Sequence, residues 1–233
     1  CAARRAEGYE LFVGDLWTGN RPVPGIEQAM RTWREAGGKI AGYFCAHDAT
    51  PLETHFQAAK KSAGAEWNNL RFVAVDVEID PASEQGVLAA CQRVVDEGKR
   101  IVLYTARWFW VGRMGDPQSC ATYPLWDAHY GVHPTLEAPG YGGWSGKVGH
   151  QYQDTTDLEG VDVDINVFDD NFVNGVNENV PIQVPEVSDA EVQQLHLRWA
   201  DAQAVHQTAD GLHQLAAAME ANIIQRKIQL GLQ

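Results

Sequence analysis

The chain has 233 residues, 45% of them hydrophobic, with 18 basic against 31 acidic side chains and a formal net charge of −13. That is enough apolar material for one large α/β domain with a core of its own and an appendage, while the acidic balance argues against nucleic acid as a partner. No run approaches the roughly 18 apolar residues of a membrane span, and Cys1, Cys45, Cys91 and Cys120 show no C-x-x-C pair and no disulfide framework.

In chain order, residues 8–17 read as a strand. Residues 24–36 follow as a helix, with Ile26, Met30 and Trp33 at helical spacing and Gly37-Gly38 as its stop. A second strand covers 39–47 and a second helix 51–67. The third strand, 72–80, is F-V-A-V-D-V-E-I-D, and a third helix over 82–97 carries Val87, Leu88, Cys91 and Val95 on one face. Residues 100–110, R-I-V-L-Y-T-A-R-W-F-W, read as a fourth strand. Alternation at this spacing predicts βαβ units, a parallel sheet and right-handed crossovers that curl it.

After Trp110 the rhythm changes. Three more strands are expected at 123–130, 147–154 and 161–168, joined by loops rich in Gly, Pro and aromatics with little room for helices. That makes seven strands where a closed barrel of this class needs eight, so the first is expected upstream of Cys1. The expected architecture is α/β: a TIM-like (β/α) barrel over 1–170 with a helix-poor second half, a linker over 171–187 and a C-terminal α-helical extension over 188–233. Ser188 and Glu191 suit a capping box there. A stripe from Leu195 to Ile224 suits a hairpin or coiled coil that packs on another copy or a partner protein.

Chemistry enters on the third strand. Side chains alternate faces, so Val73, Val75, Val77 and Ile79 share one side, and Phe72, Ala74, Asp76, Glu78 and Asp80 the other. The last strand, V-D-V-D-I-N-V-F, repeats this with Asp162, Asp164, Asn166 and Phe168 on one face. Facing carboxylates that lose water repel one another and separate in proton affinity, which is the equipment of glycosidic cleavage. The plainer alternative is a pair of acidic strand ends facing solvent. Tyr104, Trp108, Trp110, Tyr123, Trp126, Tyr130, Trp144 and Tyr152 lie in loops or at strand ends, and aromatic faces of this kind stack on sugar rings. No glycine-rich phosphate loop and no G-x-S-x-G elbow occurs. The scattered His47, His129, His133 and His150 do not make a metal site, and no cofactor is expected.

Six short segments then fall in a recognisable order: G-Y-F-C-A-H from Gly42, V-A-V-D-V-E from Val73, I-V-L-Y-T from Ile101, P-L-W-D-A-H-Y from Pro124, H-Q-Y from His150 and V-D-I-N from Val163. Together they resemble glycoside hydrolase family 25, the lysozyme-type muramidases common among phage lysins. The resemblance implies hydrolysis of the β-1,4 bond between N-acetylmuramic acid and N-acetylglucosamine in bacterial peptidoglycan, by a secreted or virion-associated protein. It implies Glu78 as proton donor and Asp76 and Asp164 as supporting carboxylates, with Tyr104, Trp126 and Tyr152 lining the glycan groove. Tyr130, Asn166 and Trp108 are further candidates for the groove. The family carries another catalytic-site aspartate in a G-x-D-x-S type first strand, which this sequence lacks, and Asp127 inside the leucine-tryptophan motif is unusual. A catalytically silent glycan-binding or structural barrel is the rival reading.

Overall fold

Seven strands run side by side in sequence order in the computed structural model, which describes residues 1–158 and 161–175, all within the unit Cys1–Val180. They are β1 Leu11–Trp17, β2 Lys39–Cys45, β3 Val73–Asp76, β4 Ile101–Ala106, β5 Leu125–Ala128, β6 Gly149–Asp157 and β7 Asp162–Phe168. From β1 to β6 every neighbouring pair is parallel; β7 returns antiparallel to β6. β1 and β7 are the two edges, with no ladder joining them among the described residues. The sheet is therefore curled but open there: its seven strands are the number read from the sequence, and among the described residues they do not close into the TIM-like barrel expected.

Its outer face is covered as the helical spacing predicts. After a short first helix, α1 (Ala2–Ala6), α2 (Ile26–Glu35) buries Ile26, Met30 and Trp33, and α3 (Leu52–Ala63) buries Phe56, Ala59 and Ala63. α4 (Glu84–Asp96) buries Val87, Ala90, Cys91 and Val94, and its N-cap Ser83 accepts the Gly86 N–H at 3.1 Å. All of these meet the outward valines of β3 in one apolar cluster. A second cluster fills the concave side with Phe72, Ala74, Val102, Tyr104 and Trp126. Phe72 lies 5.3 Å from the Phe168 ring, so the foot of β3 touches the end of β7 across the interior. Gly149 is what lets Phe168 lie so low, since a Cβ there would stand 2.5 Å from that ring.

Two stretches differ from the sequence reading. The fourth strand stops at Ala106, and Arg107–Gly112 forms a short helix, α5. An apolar run without alternation does not distinguish strand from helix; as a helix it buries Phe109 and Trp110 and leaves Trp108 at 61% exposure. The segment expected to begin a linker opens as a helix instead, Asp170–Asn174, with Asp169 accepting the Phe172 N–H at 2.7 Å. Phe172 and Val173 thereby join the inner cluster. The rest of 171–187 and all of the expected helical extension lie outside the described residues.

Asp127 proves to be a core anchor. The Lys147 ammonium donates to one of its oxygens at 2.8 Å and the Tyr141 hydroxyl to the other at 2.6 Å, and both Lys147 and Asp127 side chains are only 3% exposed. Removing one member of a buried pair strands the other charge. Lys147→Met is expected to lower the unfolding free energy by about 3–5 kcal/mol, measured by urea denaturation, whereas Arg113→Met, which breaks the exposed pair with Asp80, should change it by less than about 1 kcal/mol.

Candidate active site

A cavity of about 1030 Å³ opens on the concave side of the sheet, and Asp15, Tyr43, Asp76, Glu78, Tyr104 and Trp126 are among its lining residues, with Tyr130, Gln151, Asp164 and Asn166. β3 supplies its acids by alternation: Val73, Val75 and Val77 turn outward, while Phe72 and Ala74 turn inward below Asp76. The strand ends at Asp76, so Glu78 stands just beyond it at the mouth, and Asp80, further out, is exposed.

Asp76 is 3% exposed. The Cys45 thiol donates to its Oδ2 at 2.8 Å, and Oδ1 is buried without a partner. Burial pushes the Asp76 pKa well up, and the negative charges of Glu78 and Asp15 push the same way, with the Cys45 bond opposing. Glu78 is raised too, first by burial and then by Asp164. Cys45 itself is pushed far up by burial and by Asp76, so it stays a thiol donor and not a thiolate.

Asp164 is held differently. It receives the Thr155 N–H at 3.0 Å and the Gln151 amide N–H at 2.8 Å. Gln151 is the hub of this side: its oxygen accepts the Tyr104 hydroxyl at 2.6 Å and the Tyr130 hydroxyl at 2.8 Å. The amide orientation follows from the partners, because a reversed Gln151 would turn its oxygen toward the Asp164 carboxylate. Trp126 donates to Asn166 at 2.9 Å and packs 4.6 Å from the Tyr104 ring, forming the apolar floor.

The structure thus brings together Asp76, Glu78, Asp164, Tyr104, Trp126, Tyr130 and Asn166. It does not bring in Trp108, which stands out on α5, or Tyr152, which shares a strand face with buried His150 and lies 6.1 Å from its ring. Three of these lining residues were missed, Tyr43 on β2 among them. Gln151 sits inside the H-Q-Y segment, where strand alternation makes Gln and Tyr exclusive choices for the inner face. Asp15 lies in L-F-V-G-D-L-W, whose apolar pattern does not alternate cleanly. Among the described residues, Asp127, His129 and His150 come near enough to share a metal ion. Two of the three are already engaged: Asp127 by Tyr141 and Lys147, and His150 by the Thr135 N–H at 3.0 Å, with its other nitrogen on the His129 carbonyl. The nearby Lys147 charge also opposes a cation.

The sequence model of glycosyl hydrolases family 25 matches residues 20–161. A probable GH family 25 lysozyme from Dictyostelium discoideum is 32% identical over 182 residues, 70% of this chain and 37% of that protein. The chain spans between 34 and 42% of the length of the curated relatives it matches. Among solved structures, a muramidase from Acremonium alcalophilum aligns at a TM-score of 0.61 and 18% identity, over 75% of this chain and 92% of its own. A lysozyme from Streptomyces coelicolor aligns at 0.59 and 22%, over 72% and 85%. At such identities these structures bear on the fold alone.

Two outcomes follow from the site's geometry. Gln151→Leu removes the donor to Asp164 and the acceptor of two phenols, so any activity of the site should fall about 10- to 100-fold, the range for losing a hydrogen bond to a charged group. Initial rates measured at equal folded fraction check it. For Asp76, a raised native pKa means the folded state binds more protons than the unfolded one between about 4 and the native value. Unfolding free energy then falls as pH rises through that window. Asp76→Asn, which keeps an acceptor for Cys45, should flatten the fall in urea titrations run from pH 4 to 8.

Proposed function

Because this chain belongs to glycosyl hydrolases family 25, we propose that it is a peptidoglycan muramidase, cleaving the β-1,4 bond between N-acetylmuramic acid and N-acetylglucosamine. The observation that carries this reading is the meeting in one cavity of Asp76 and Glu78, whose pKa values burial raises, with a hydrogen-bonded Asp164. Glu78 is the proton donor. It stands at the mouth where a bound glycan reaches it, and its raised pKa keeps a proton available to the leaving oxygen. Asp164 and Asp76 are the supporting acids: Asp164, held by two N–H groups, is placed to stabilise the positive charge that develops on the sugar ring, and Asp76 stands deeper on β3, below Glu78. Trp126, Tyr104, Tyr130 and Asn166 give the groove an apolar floor with a few fixed polar groups, the pattern of a sugar site. Trp108 and Tyr152 have no part in this cavity.

The substrate places the reaction outside the bacterial membrane, so we infer a secreted or virion-borne setting. A lysin role is in keeping with the CTP1L endolysin among the structural neighbours, at 18% identity and a TM-score of 0.58. No helix among the described residues is long and apolar enough to cross a membrane.

Loss of turbidity in suspended bacterial walls tests the reading. Glu78→Gln is expected to slow cleavage about 10²–10⁴-fold, the usual effect of losing a general acid, while melting temperature and wall binding stay close to the parent's. A parent protein that binds walls without ever clearing them would instead identify a silent glycan-binding module.

A further inference from the structure

The cavity holds a fourth acid, from the edge strand. Along β1, Gly14 lies under Ile26 and Leu16 is fully buried in the outer cluster, while Leu11 and Val13 pack with the inner one. Asp15 follows Val13 on the inner side and lines the cavity. The pairing of β1 with β2 then shifts between Asp15 and Trp17, and Trp17 turns to the outer cluster directly after Leu16. Such a bulge re-aims side chains at the end of a strand, and here it leaves Asp15 as the last β1 residue pointing inward.

Asp15 is poorly provided for as a purely structural residue. The Tyr43 hydroxyl and the Trp17 backbone N–H favour its charged form, and burial outweighs both. Its Oδ1 is buried with no partner. Its charge also falls on Asp76, Tyr43 and Cys45, each pushed up in part by it. No cation among the described residues pairs with it in the salt bridges that hold other acids of the chain. The second vacant acceptor in the same cavity is Oδ1 of Asp76, on a side chain almost wholly buried. Buried acceptors are nearly always satisfied, and two unsatisfied ones on carboxylates that line one cavity point to a polar partner gained when a ligand is bound.

Building on the muramidase reading, we infer that Asp15 is a substrate-binding residue: its carboxylate accepts a hydrogen bond from an O–H or N–H of the sugar seated beside Asp76 and Glu78. The Tyr43 hydroxyl and the Trp17 N–H hold the carboxylate in place, and the part-exposed side chain meets the glycan where it lines the cavity. Asp15 and Asp76 then grip the sugar from β1 and β3 while Glu78 reaches the bond above it. Asp15 does not move a proton in this scheme, so it acts on binding and orientation and not on the acid itself.

The experiment is a calorimetric titration of the full chain with a defined tetrasaccharide of alternating N-acetylglucosamine and N-acetylmuramic acid. It is done in a Glu78→Gln background so that nothing is consumed. Asp15→Ala and Asp15→Asn are each expected to weaken binding about 10- to 100-fold. The melting temperature of Asp15→Asn should equal or exceed the parent's, since a like charge beside Asp76 has gone. Unchanged affinity in both variants would overturn the inference and leave the muramidase reading intact. Weakened binding matched by a drop in melting temperature in both variants would overturn it as well, by making Asp15 a support of the fold. If the Glu78→Gln protein itself fails to bind the tetrasaccharide and the parent fails to clear walls, both readings fall together.

Discussion

A carboxylate that is only 3% exposed, with another acid two residues along the chain, is a destabilising thing to build, and the rest of the site depends on how the fold holds it. β3 does so by separating the two jobs onto two faces. Val73, Val75 and Val77 are completely buried against the helices on one side, each contributing about 1.5–3 kcal/mol to holding the strand. Their sum exceeds what the inner face can lose, because a desolvated acid escapes most of its penalty by keeping its proton. The strand is therefore fixed by its outer face, and the inner face is free to carry acids whose pKa values burial has raised.

The reversal of β7 completes the arrangement. In the parallel strands the C-terminal end points to the mouth, which is why Asp76 and Glu78 stand above Phe72. β7 runs the other way. Its acids-first order, D-V-D-I-N-V-F, the reverse of β3, thus puts Asp164 at the mouth and Phe168 at the foot, against Phe72 and under Gly149. Had β7 been parallel, its phenylalanine would occupy the mouth and its aspartates the apolar foot. Antiparallel pairing also sets Gln151 opposite Asn166, one step from Asp164, so the amide that orients the carboxylate comes from the neighbouring strand. The second half has little helix, and beside the outer packing of Phe109, Trp110, Leu125 and Trp144 it contributes this polar lining.

Much of this was legible in the sequence wherever a period was clean. The V-A-V-D-V-E alternation assigned both faces of β3 correctly, and Ile26, Met30 and Trp33 are the residues α2 buries. Legibility failed where the local pattern was degenerate. R-W-F-W is apolar at every step after the arginine, so nothing in it said that β4 would end and a helix begin. In H-Q-Y the aromatic looked like the groove residue, but register placed Tyr152 beside His150 and turned Gln151 inward, and register is set by pairing with β5 and β7 and not by the segment itself. Asp15 was hidden because a bulge breaks the alternation just after it. Asp127 looked anomalous within its motif because its partners, Tyr141 and Lys147, lie 14 and 20 residues downstream.

The hydrogen-bond donors around the three central carboxylates explain why they are not equivalent. Two N–H groups point at Asp164, one thiol at Asp76, and no donor reaches Glu78 among the described residues. Donors favour the ionised form and burial the protonated one, so Asp76 is raised furthest, while Glu78, with no donor among the described residues and only part-buried, is raised and still within a substrate's reach. Glu78 is also the one lying past the end of its strand, where a sugar can meet it. Asp76, deeper and donor-poor, cannot easily ionise while Glu78 and Asp15 are charged. Any event that moves the proton off Glu78 therefore changes the field felt by Asp76 and Asp164 at the same moment. On the proposed reaction, the cavity gains negative charge as positive charge grows on the sugar, and the three central acids respond to it together.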